Sequence, residues 1–180
     1  MDMTEGYPFI FQMNDRQGAD DVLEYTLQYR FKSEKSKHTY IVRVERYVEH
    51  AYCLKFFDKA NMLSENKFSL RTGTFEPRTI FYTLFHIMLD VLHRDEKASF
   101  FFIGANDERD EPGVATRRFR IYVKFVLSTV GDGTFKHYRV NDLSLYILAN
   151  KAHVEDMDLY VHKIIRHVSA ELGHTEQHSV

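Results

Sequence analysis

VATRRFRIYVKFVLSTV, residues 114–130, can be laid out in two ways, and the fold turns on the choice. With period two, Arg118, Arg120 and Tyr122 alternate with Phe119, Ile121 and Val123, as on a half-buried strand. With helical spacing, Ala115, Phe119, Tyr122, Val123, Val126, Leu127 and Val130 form one stripe over the whole length, and Gly131 and Gly133 follow where a helix would stop. The second layout accounts for more residues, so the spacing predicts a helix over 114–130. Just upstream, SFFFIGAN (residues 99–106) contains an apolar run that reads as a strand over 100–103, buried on both sides and ending at Gly104. The connection between the two is acidic and turn-rich, with Asp107, Glu108, Asp110 and Glu111.

Further towards the N-terminus the pattern is one of alternation. Tyr25, Leu27, Tyr29 and Phe31 alternate with Thr26, Gln28, Arg30 and Lys32, which places aromatic and apolar residues on one face of a strand. SEKSKH (residues 33–38) reads as a hairpin connection. Tyr40, Val42 and Val44 mark a second strand, Tyr52, Leu54 and Phe56 a third, and Phe68 with Leu70 a short fourth. Together they predict a four-stranded antiparallel meander with one buried face. After Pro77, which suits a first helical turn, Ile80, Phe81, Leu84, Phe85, Met88 and Leu92 predict an amphipathic helix packed across that face.

Towards the C-terminus, residues 135–140 and 143–149 predict a hairpin. Val154, Met157, Val161, Ile164, Ile165, Val168 and Leu172 then predict a final helix, with acids in its first turn and Gly173 as its end. The expected organisation is a loosely held arm over 1–21 with one short strand, a single α+β domain over 22–173, and a disordered tail over 174–180.

At 180 residues the chain fits one domain. Its 44% hydrophobic and 28% charged residues place it outside the disordered and coiled-coil classes. Fifteen Phe and eleven Tyr with no Trp favour strands, because flat side chains fit a pleated, half-buried surface. A net charge of −2 argues against a surface that is cationic throughout. Cys53 is the single cysteine, so an intrachain disulfide and a thiolate zinc cluster are both excluded, and the expected compartment is the reducing cytoplasm. MDMTEGYPFIF lacks the basic start of a signal peptide, and no apolar run approaches the roughly 18 to 20 residues that span a bilayer, so no membrane association is expected.

Two groups of residues carry candidate chemistry. Thr116, Arg117, Arg118 and Arg120 open the predicted helix of residues 114–130, where unpaired backbone N–H groups and fixed positive charge favour a phosphate or carboxylate, and Gly104 would let backbone approach that ligand. The competing use of these arginines is pairing with the acids of the preceding connection. The second group lies on the polar face of the meander: Arg30, Lys32, Arg43, Tyr47, Lys55, Phe57, Lys67 and Arg71. Between residues 22 and 71 there are ten Lys or Arg against six Asp or Glu, whereas residues 72–180 carry 13 against 15, so positive charge is segregated onto this half. Cations that follow phosphates and rings that stack bases are what single-strand binding requires. The competing readings are a solvated face whose lysines blunt edge pairing, or a surface covered by a second subunit.

The ten histidines show no HExxH and no His-x-His, which argues against a dedicated metal site. GxSxG, P-loop, dinucleotide and CxxC signatures are absent, and no cofactor is implied. The leading expectation is a non-enzymatic, self-associating binding protein whose basic surface engages single-stranded nucleic acid or another anionic partner. The alternatives are a small enzyme acting on a phosphate-bearing substrate at the Gly104 to Arg120 segment, and a structural homo-oligomer without a ligand.

FFFIGAN followed by TRRFRIY resembles a group of single-domain bacterial proteins without an assigned activity, in which a strand ending in Gly leads to a Thr, Arg, aliphatic, Tyr helix start. Gly104, Thr116, Arg118, Arg120, Ile121 and Tyr122 carry the likeness, and the connection from Ala105 to Val114 is longer and more acidic here. Four antiparallel strands followed by a helix are also similar in architecture to the repeat unit of Whirly-like and Pur-like single-strand nucleic-acid binders. That likeness implies an α+β fold and leaves function to be argued from the residues.

Overall fold

The alternating segments form the expected meander, with one change of membership. The computed structural model describes residues 5–63, 76–104 and 115–177. Within it β1 (Phe9–Asp15), β2 (Leu23–Lys32), β3 (Thr39–Tyr47) and β4 (Ala51–Asp58) are antiparallel neighbours in chain order. The outer strand β1 comes from the segment expected to be a loosely held arm. Phe9 and Phe11 meet the Tyr29 ring edge-on, with centroids 5.9 and 5.3 Å apart, and this contact holds the segment against β2. The expected strand at Phe68 and Leu70 lies outside the described residues. Tyr29 pairs with Val42, and Val42 with Phe56, so the apolar positions of three strands share one face.

That face is covered by two helices. α1 (Pro77–Arg94) begins on its proline and buries Ile80, Phe81, Phe85, Ile87, Met88 and Val91. It carries the chain from β4 to β5 (Ser99–Ile103), which runs parallel to β4, and parallel neighbours require a crossover of this kind. Residues 117–129 are helical, so the 3.6-residue period of that segment overrides its local alternation: α2 (Arg117–Thr129) buries Phe119, Val123 and Val126. The buried stripe is narrower than expected, since Leu127 is 62% exposed.

The remaining elements complete the sheet and its second layer. β6 (Phe135–Val140) and β7 (Leu145–Asn150) form the expected hairpin, and β7 inserts next to β5 to give the order β1-β2-β3-β4-β5-β7-β6. All six residues of β7 are buried. α3 (Met157–Gln177) starts at Asp156, whose carboxylate accepts the Leu159 N–H at 3.0 Å. It runs through Gly173, the expected stop, into part of the expected tail; an internal glycine costs a helix about 1 kcal/mol relative to alanine without ending it. α3 lies on the opposite face from α1 and α2 and packs Val161, Ile164 and Val168 against Tyr47, Cys53, Phe101, Leu145 and Ile147. Its cluster contains no residue of β1, so the second face is covered over one half of the sheet only. Among the described residues no helix is long and apolar enough to cross a membrane.

Candidate functional site

At the start of α2, Gly104 and Thr116 serve packing and capping. A Cβ on Gly104 would stand 2.5 Å from Phe119 Cβ and 2.6 Å from both Phe119 N and Thr116 Oγ1, so the helix sits directly on the glycine and leaves no space for a ligand between them. The Thr116 hydroxyl donates to the Gly104 carbonyl at 3.0 Å and accepts the Phe119 N–H at 3.1 Å. Thr116 N–H in turn donates to Ser144 Oγ at 3.0 Å. The arginines are divided: Arg117 is exposed, Arg118 is half-buried with its guanidinium 6.0 Å from the Phe56 ring centroid, and Arg120 turns back to donate to the Ala115 carbonyl at 2.6 Å. Asp107, Glu108, Asp110 and Glu111, the alternative partners, lie outside the described residues.

The second candidate surface is also divided. Arg43 donates to Gln28 Oε1 at 2.8 Å and to Asp15 Oδ2 at 3.1 Å, tying β3 across β2 to β1. The Gln17 N–H and Arg43 together hold the Asp15 carboxyl below its ordinary range. Lys55 pairs with Glu45 at 2.8 Å. Burial works against the Lys55 charge, yet the acidic groups around it, Cys53, Glu45 and Glu171, hold it above the ordinary lysine range.

The two rings expected to stack bases are buried, Tyr47 at 6% and Phe57 at 5% exposure. Tyr47 packs on Phe101 and His167 under α3, and its hydroxyl donates to Glu45 and Glu171. Alternation identified the face but not the helix that closes over part of it. Lys67 and Arg71 lie outside the described residues.

Arg30 and Lys32 remain accessible, and they line one groove of about 560 Å³ with Pro8, Ile10, Lys37 and Thr39. Glu34 is the single acid there among the described residues. Arg30, Lys32 and Lys37 have no ion pair among the described residues. Ile10, 57% exposed, forms an apolar wall. Lys37 escaped the sequence reading, which took its segment only as a hairpin connection. Its left-handed backbone (φ 66°), with the turn closed by Lys37 N–H to Ser33 O at 2.9 Å, places it at the groove.

A polar cluster beside the β3–β4 turn was not legible in sequence, because its members are far apart in the chain. Glu49 and His50 both have positive φ, at 61° and 58°. His50 Nδ1 meets Asp95 Oδ2 at 2.7 Å, and the same oxygen accepts the Tyr52 hydroxyl at 2.9 Å, while Lys97 N–H donates to Asp95 Oδ1 at 3.1 Å. Burial raises the Asp95 pKa, but His50, Tyr52 and the Lys97 N–H outweigh it and hold the carboxyl below its ordinary value. A histidine anchored on a carboxylate suits proton transfer. Among the described residues no serine, threonine or cysteine hydrogen-bonds to His50, so the cluster presents no activated nucleophile; its evident work is to fasten the β3–β4 turn to the residue that follows α1.

No family model, curated protein or solved structure matches this chain. The argument for function therefore rests on the chain's own geometry and charge.

Proposed function

We propose that the chain is a non-enzymatic binding protein that holds an anionic partner in the groove beside β1, β2 and the β2–β3 turn. The observation that carries this reading is the contrast among the cations of one sheet face: Arg43 and Lys55 are neutralised by Asp15 and Glu45, whereas Arg30, Lys32 and Lys37 line a common groove without an ion pair. Single-stranded nucleic acid is the most concrete partner. With Tyr47 and Phe57 buried, these rings do not stack bases, and the contact is one of phosphates with three cations along an apolar wall.

The test is fluorescence anisotropy of a labelled oligothymidylate between 50 and 200 mM salt. Three phosphate contacts on a single strand predict a slope of log K against log salt of about −2. The triple change Arg30→Ser, Lys32→Ser, Lys37→Ser removes those contacts, lowers affinity more than tenfold and flattens the slope, while Arg43→Gln leaves both nearly unchanged. Undetectable binding, or binding that the triple variant retains, overturns the proposal.

A further inference from the structure

The first face of the sheet holds a cavity that the proposal above does not use. It measures about 70 Å³ and lies between the sheet and the two helices, with Phe56 and Phe102 from the sheet, Leu84 and Met88 from α1, and Phe125 and Val126 from α2 among its walls. Among the described residues no charged side chain lines it. Native cores keep few voids larger than one water, and a buried water needs about two to four polar partners, which these walls do not offer. Leu84, Phe102, Phe125 and Val130 keep partial solvent access, so the space opens outward.

Size and charge narrow the occupant. The volume is several times the 10–15 Å³ or so that one water requires but about half that of a cavity known to take a benzene ring, so it fits the end of a chain better than a whole ring. The Arg118 guanidinium lies 6.0 Å from the centroid of Phe56, one of the walls, and Arg117 and Arg120 share the same helix start. The field beside the cavity therefore favours an anionic head.

We infer that the cavity binds the alkyl end of a medium-length straight-chain carboxylate, with its carboxylate outside, on the Arg118 side. Isothermal titration of the full chain with hexanoate, octanoate and decanoate tests this. Binding is expected to be one to one and to strengthen by up to about fourfold per methylene for as long as added methylenes enter the cavity. Val126→Phe and Leu84→Phe each fill the void; whichever variant keeps the wild-type circular dichroism loses at least tenfold in decanoate affinity. Arg118→Gln weakens decanoate severalfold and leaves decanol unchanged.

A second readout does not depend on those variants folding. The Met88 methyl resonance, assigned by Met88→Leu, shifts on addition of decanoate to the wild type. Absence of saturable decanoate binding, an unmoved Met88 methyl, or undiminished affinity in a folded filled variant overturns the inference. Equal affinity for decanol and decanoate overturns its carboxylate part. A failure of oligothymidylate binding has no bearing on these outcomes, because the two sites lie on opposite faces of the sheet.

Discussion

On one face of the sheet, α1 and α2 lie over a continuous set of aromatic and branched side chains. On the other, α3 covers the half around β4, β5 and β7, and the half around β1 and β2 is left to paired and unpaired charges. The same strands supply both faces, residue by residue. What differs is the coupling between neighbours. On the first face each side chain is fixed by several others, and a change of one atom must be absorbed by a close-packed set. On the second, over β1 to β3, side chains meet solvent, and a lost contact is replaced by water. The first face therefore governs stability and the open half of the second is available for binding.

Changes graded from the first face to the second probe this contrast. Gly104→Ala is expected to cost the most, about 3 kcal/mol, because the new Cβ meets backbone and Cβ atoms of Phe119 that cannot turn aside; urea unfolding measures it, and a cost below about 1 kcal/mol would mean α2 is free to shift. Thr116→Ala follows at about 2 kcal/mol, through loss of the cap on Phe119 N–H and of the donor to the Gly104 carbonyl. Tyr29→Phe removes the hydroxyl that donates to Asp90 at 2.7 Å and costs about 1 kcal/mol in the same assay.

Under α3 the effect depends on pH. Burial raises the Glu171 pKa, but His167, Lys55 and Tyr47 hold it below its ordinary value of 4.5. A carboxyl with a lowered folded pKa contributes its full stabilisation above that ordinary value and loses it as pH falls through the folded one. Glu171→Gln should therefore give a shallower decline of thermal midpoint below pH 4.5 than the wild type, and an unchanged decline would place the acid sensitivity elsewhere. The smallest change is Arg43→Gln on the open half. Its pair with Asp15 is part-exposed, so the expected cost is below about 0.5 kcal/mol by urea unfolding. If it equalled Tyr29→Phe, the division between a structural face and a binding face would fail.

The sequence made some of this legible and not the rest, for identifiable reasons. The 114–130 segment resolved as a helix because Phe119, Val123 and Val126 keep helical spacing where the alternating pattern runs out. β1 was harder to see: only Phe9 and Phe11 alternate, and a register shift between Phe11 and Met13 then resets the pattern. Periodicity identifies elements and their apolar faces but not their neighbours, so the insertion of β7 beside β5 was invisible. The same limit applies to the candidate sites. Alternation placed Tyr47 and Lys55 on the polar face, but the helix that buries Tyr47 comes from more than a hundred residues away. Gly104 stood out, yet a glycine needed for helix packing and one needed for ligand approach look alike in sequence.

β5 has a consequence for how the molecule assembles. Its pair Ala51–Ser99 on one side and its pair Phe100–Leu148 on the other each join residues 48 positions apart, whereas β1 to β4 close through short connections. Loop closure must be met before such contacts stabilise anything, so this five-residue strand is the keystone of folding speed. Held from both sides by distant partners, it has no local route to opening. The amide protons of Phe100 and Phe101 should exchange with solvent only when the whole chain unfolds, long after those of β1 have been replaced.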